Sequence, residues 1–100
     1  MIIAIDIDGT VTLSPFLFYE IAEKLSQHGH CVFYITGSPQ PLQKLHRLKI
    51  DPKKVFVCNQ GEFKETCAAR HGIKVDIWID NEPGTIQPQR KATPASDDQL

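Results

Sequence analysis

Residues 1–10 read Met1-Ile2-Ile3-Ala4-Ile5-Asp6-Ile7-Asp8-Gly9-Thr10. Ile2 to Ile5 are apolar without a break, where a strand with one wet face would alternate. A continuous run of this length is expected of a central strand in a sheet that helices cover on both sides. The run then gives way to two carboxylates, a glycine and a threonine. The pattern recurs: Cys31 to Ile35 leads into Thr36-Gly37-Ser38, Val55 to Cys58 into Asn59-Gln60-Gly61, and Val75 to Ile79 into Asp80-Asn81-Glu82.

Helical patterns separate these runs. Ser14-Pro15 has the form of an N-cap followed by proline at the first helical position. Leu17, Ile21, Leu25 and His28 then fall on one stripe until Gly29 supplies a stop. Ser38-Pro39 repeats the cap-plus-proline signature, and Leu42, Leu45 and Leu48 follow at every third residue. That helix must finish before Asp51-Pro52, because proline disfavours a helical residue ahead of it; Lys44, Arg47 and Lys49 gather on or near it. A third helix is expected over Glu62 to His71, with Gly72 as its cap.

Strands alternating with helices predict an α/β chain, a Rossmann-like three-layer α/β/α sandwich with a mostly parallel sheet. The expected core is residues 1–86. Residues 87–100, with Pro88, Pro94 and polar side chains but no apolar period, are expected to be a loosely ordered tail.

The chain has 100 residues, 41% hydrophobic and 23% charged, with a formal net charge of −1. One small domain is the expectation, with no room for a separate substrate-binding domain. The near-neutral balance argues against a broad nucleic-acid surface. Apolar runs are far short of the roughly 20 residues of a membrane span, and Asp6 interrupts what would be a secretory leader, so a cytoplasmic protein is expected. Cys31, Cys58 and Cys67 form no CxxC pair and suggest neither a disulfide framework nor a zinc knuckle; all three are expected to be small buried side chains. The four histidines show no metal-ligand spacing.

In an open parallel sheet a ligand lies at the carboxyl ends of the strands, where the strand order reverses. Here those ends carry Asp6, Asp8, Thr36 and Asp80. Three carboxylates gathered at one edge repel one another unless a cation neutralises them, and a hard divalent ion such as Mg2+ suits oxygen donors. Asp6 and Asp80 would serve as its carboxylates. Thr36 and the N–H groups of Gly37 and Ser38, at the expected start of a helix, would face a phosphate. Taken singly, each feature is also a plain turn or strand terminator; an Asp-x-Asp that opened an EF-hand loop would need a glutamate where Leu17 stands. Their joint occurrence at three strand ends is what carries the reading.

Over roughly residues 1–86 the pattern resembles the haloacid dehalogenase superfamily of phosphohydrolases. The first motif of that family, DxDGT after a hydrophobic strand, stands as Asp6-Ile7-Asp8-Gly9-Thr10, the second as Ile35-Thr36-Gly37-Ser38, and the acidic fourth as Ile79-Asp80-Asn81-Glu82. The resemblance implies a nucleophilic Asp6 that forms an aspartyl-phosphate and an Asp8 that acts as general acid and base. It also implies phosphate contacts from Thr36 and around Gly9, Thr10, Gly37 and Ser38, with Mg2+ held by Asp6, Asp8 through its carbonyl, and Asp80. Lys64 is the expected motif lysine and Lys74 the next candidate. Asn81 stands where many relatives have a second aspartate.

The stretch between Asp8 and Thr36 is used up by one helix and one strand, and that between Thr36 and Asp80 by two helices and a strand, so no cap domain is expected. The open site would take a phosphorylated substrate, small or macromolecular, or be closed by a second subunit. The rivals are a receiver-like phosphoacceptor domain, against which Asn59 stands where its aspartate should end strand three, and a phosphate- or protein-binding module without turnover.

Overall fold

The computed structural model describes residues 1–88, and the expectation of a loose tail falls outside the described residues from 89 onward. The strands are β1 (Ile2–Ile5), β2 (Cys31–Thr36), β3 (Val55–Val57) and β4 (Ile77–Ile79), and the helices α1 (Pro15–Gln27), α2 (Leu42–Arg47) and α3 (Lys64–Arg70). Although β1 is apolar throughout, its side chains divide between two buried layers. Ile3 and Ile5 join Val32, Tyr34, Leu45 and Ile50 on one face, with Phe18, Ala22 and Leu25 of α1 packed against them. Ala4 points the other way, into a layer with Ile35 of β2 and Cys67 and Ala68 of α3. Both faces of β1 are therefore dry, which is why its sequence does not alternate.

All four strands are parallel, in the order β3-β2-β1-β4. The chain runs outward from β1 through β2 to β3, then returns to the far side of β1 for β4. The reversal lies between β1 and β4, where Ile5 is in register with Ile79 and the Asp6 N–H donates to the Ile79 carbonyl at 2.9 Å. The result is a small α/β architecture compatible with a Rossmann-like arrangement. No helix among the described residues is long and apolar enough to cross a membrane.

Five expectations need correction. Strand β4 starts at Ile77 rather than Val75, because the chain bends at Asp76, whose N–H donates to the Ile2 carbonyl and whose carboxylate accepts the Ile2 N–H. The side of α1 packed on the core carries Phe18, Ala22 and Leu25, all partly buried, so Leu25 holds its expected place but Leu17 is 50% exposed and His28 is exposed. Helix α2 starts at Leu42 after an extended Pro41, not at Ser38-Pro39; Ser38 and Gln40 each precede a proline, which pushes both away from helical geometry. Helix α3 starts at Lys64 rather than Glu62, because Phe63 is extended at its N-cap and Glu62 lies in the turn after Gly61. Cys31 is exposed, at the first position of β2, while Cys58 and Cys67 are buried.

Each helix ends in the same way. In α2 the Ile50 N–H reaches the Leu45 carbonyl at 2.9 Å and the Lys49 N–H reaches that of His46 at 3.1 Å, with Leu45 and Ile50 in one apolar cluster. This is a Schellman closure, and its left-handed residue is Lys49, at φ 58°. Gly29 and Gly72 hold the equivalent positions after α1 and α3. Lys49 thus bears a backbone cost that glycine would avoid, on the order of 1 kcal/mol. Lys49→Gly is expected to raise stability by at most about 0.5 kcal/mol in urea unfolding, once loss of its contact over the Tyr19 ring is deducted, whereas Gly72→Ala should lower it by about 1 kcal/mol.

Candidate active site

Asp6 leaves the end of β1 beside the strand reversal, and its side chain is met by Lys64 from the first turn of α3. Lys64 Nζ donates to Asp6 Oδ1 at 2.7 Å and to Asp80 Oδ2 at 2.7 Å. The three side chains are only 2–8% exposed. Burial raises the Asp6 pKa above the usual carboxylate range, and the nearby Asp80 adds to this, while Lys64 opposes both. Burial also pulls the Lys64 ammonium down, but hydrogen bonds to two carboxylates outweigh it and the net shift is upward. The other oxygens are used locally: Asp80 Oδ1 accepts the Glu82 N–H at 2.8 Å, and Thr10 Oγ1 lies 3.4 Å from Asp6 Oδ2 and from Asn81 Oδ1.

Asp8 faces a different set of partners. Its Oδ1 pairs with Lys44 Nζ, and its Oδ2 accepts from Gln40 Nε2 at 2.8 Å and Ser38 Oγ at 3.2 Å. The Lys44 hydrogen bond is the main reason that the Asp8 carboxyl is held below its ordinary pKa; Gln40 and Ser38 act in the same direction. Gln40 also reaches Thr36 Oγ1 at 3.3 Å and the Ser38 carbonyl at 3.1 Å, and leaves its own Oε1 buried without a partner. Its two amide hydrogens are shared among Asp8, Thr36 and Ser38, which makes Gln40 the brace between Thr36 and Asp8.

Asp6, Asp8, Thr36, Gly37, Ser38 and Lys64 line a single cleft of about 430 Å3. Gly9 and Thr10 do not line it; they build the loop behind. Gly9 has φ 84°, a backbone conformation that favours glycine, and a Cβ there would stand 2.5 Å from Asn81 Nδ2, so a larger residue would both strain the loop and push the Asn81 side chain aside. The expected helix N-terminus behind Gly37 and Ser38 is absent, since α2 begins later and the Ser38 N–H is directed at Thr36 Oγ1, 3.4 Å away. Lys64, not Lys74, meets the carboxylates; Lys74 is exposed in the turn before β4, at the opposite edge of the sheet.

Sequence reading missed Gln40 and Lys44 as partners of Asp8. Lys44 was visible only as one of several basic residues near α2, and no spacing rule pairs it with Asp8. It also missed a third side of the cleft, where Cys58 and Glu62 line the wall and Cys67 stands behind them. Burial, followed by hydrogen bonding to Cys67, pushes the Cys58 thiol up to about 12. Glu62 is drawn down to about 2, chiefly by Arg70, whose Nε and Nη2 donate to it at 3.0 and 2.9 Å.

In comparisons with protein-family models, curated proteins and solved structures, nothing matches the chain. Its function is therefore argued from this geometry.

Two measurements check it. Lys64→Met leaves two buried carboxylates without their cation and should cost about 3–5 kcal/mol of folding stability at neutral pH. Alkylation of the folded, reduced chain near pH 8 should modify Cys31 rapidly and spare Cys58 and Cys67, as peptide mass mapping would show; equal labelling of all three would contradict the burial described.

Proposed function

We propose that the chain is a magnesium-dependent phosphomonoester hydrolase of the haloacid dehalogenase type, without a cap domain. The observation that carries this reading is the arrangement of Asp6, Lys64 and Asp80 across the β1/β4 reversal, with Asp8 and Thr36 on the facing rim of one cleft. Acidic, hydroxyl and ammonium groups from three strand ends and one helix meet where an open parallel sheet accepts its ligand.

In this reading the Asp6 carboxylate attacks phosphorus, and the bond to the leaving oxygen breaks as that oxygen takes a proton. Burial makes Asp6 a more basic and stronger nucleophile than a surface aspartate, while Lys64 keeps its charged form accessible. Thr36 contributes its hydroxyl to the transferring group. Asp8 supplies the proton to the leaving oxygen and takes one back from the water that hydrolyses the aspartyl-phosphate. As Lys44 holds it, Asp8 is suited to the second duty. The first requires Lys44 to let go, and a phosphate dianion entering the cleft offers Lys44 a stronger partner. The donor set suits a hard cation: Asp6 and Asp80 already converge on one positive charge, and both present only oxygen. Mg2+ held by Asp6, Asp80 and the Asp8 carbonyl would neutralise charge on the phosphoryl oxygens.

A second reading, a phosphate-binding module without turnover, is favoured by Asn81 in place of an acid and by the Lys44 clamp on Asp8. Hydrolysis of an aryl phosphate and a panel of phosphorylated metabolites, with magnesium and with excess chelator, separates the two. Expected are chelator-sensitive turnover, loss to background in Asp6→Asn, and a drop of roughly 10²–10⁴-fold in Asp8→Asn, with both variants folded by circular dichroism. Hydrolysis unchanged in both variants would refute the assigned roles, and its absence throughout would favour the binding module.

A further inference from the structure

We propose that Cys58, Glu62 and Cys67 form a second cation site, distinct from the carboxylate site, that takes a thiophilic divalent ion of the zinc class on the wall of the cleft. Among the described residues, this is the group of three potential ligands whose Sγ and carboxylate oxygen atoms all lie within 4.8 Å of one another. Cys58 follows β3, Glu62 sits in the turn after Gly61, and Cys67 lies in α3, so the turn folds back to set the three donors around one point. The carboxylates of Asp6 and Asp80 form the hard-oxygen site; two sulfurs and one oxygen select a softer ion.

The geometry needs little adjustment. A tetrahedral ion with bonds of about 2.3 Å to sulfur places its ligands about 3.8 Å apart, so the donors close by at most about 1 Å. Cys58 and Cys67 are buried and fixed by packing. Glu62 is oriented from behind, by Arg70 through two hydrogen bonds and by the Asn59 N–H at 2.9 Å, which is how outer partners commonly aim a metal ligand. Cys58 and Glu62 both line the cleft, so the fourth position opens toward it and is left to water or to a substrate atom.

Charge also balances. On binding, both thiols release their protons to solvent, giving two thiolates and one carboxylate; the divalent ion and the Arg70 guanidinium together cancel those three negative charges.

The test uses the full chain carrying Cys31→Ser, which removes the exposed thiol, kept reduced by a phosphine and titrated with Co2+ as a spectroscopic probe. Expected is thiolate-to-cobalt charge-transfer absorption that saturates at one equivalent and is bleached by one equivalent of Zn2+. Cys58→Ser and Cys67→Ser should abolish the saturable signal, Glu62→Gln should weaken Co2+ binding about tenfold or more, and Asp6→Asn should leave it unchanged, which separates this site from the magnesium site. Absence of the band in the folded, reduced chain would overturn the proposal, and so would an unchanged band in Glu62→Gln or Cys58→Ser. Circular dichroism identifies any variant that fails to fold. Because Cys67 is fully buried, the Glu62→Gln and Cys58→Ser results decide if Cys67→Ser is lost that way.

Discussion

One buried ammonium group organises the carboxyl edge of the sheet. Without Lys64, Asp6 and Asp80 would bring two negative charges together out of water, an arrangement that costs several kcal/mol per ion. With it, each carboxylate keeps a hydrogen bond of 2.7 Å, and β1, β4 and α3 are tied at a single point. Such a pair is a weak source of net stability compared with well-packed apolar residues. Its effect is local: it joins the ends of β1 and β4 to the first turn of α3, on one side of the cleft whose wall carries Cys58 and Glu62.

The cleft is consequently built from two electrostatic units that share no hydrogen bond. Asp6, Lys64 and Asp80 form a nearly dry group, whereas Asp8, Lys44, Gln40 and Ser38 form a half-exposed one. The difference in surroundings sends the two aspartates of one short motif in opposite directions, Asp6 up through burial and Asp8 down through Lys44. Separating the pKa values of neighbouring carboxylates is how one site assigns different duties to the same side chain.

The strand positions and the edge that carries the polar residues were legible because they depend on local rules. Continuous apolar runs marked β1 and β2, and Gly29 and Gly72 marked two helix ends through their left-handed backbone. Lys49, which closes α2 in the same geometry, gave no such signal, because its conformation is imposed by Ile50 docking on Leu45 rather than by its own preference. Ser38-Pro39 misled for a related reason. A proline permits a helix start, but a second proline at Pro41 vetoes it by acting on Gln40. The contacts of Lys44 with Asp8 and of Cys58 with Cys67 join residues far apart in sequence or on different elements, and spacing alone does not encode them.

The sheet ends on both sides in strands of only three residues, β3 and β4. Val57 and Ile77 on these margins are exposed, yet among the described residues each margin is only three residues long. Short edges of this kind are poor templates for adding a strand from another chain. Self-association through a continued sheet is thereby disfavoured, and the protein can leave its polar carboxyl edge open to solvent without also exposing an adhesive one.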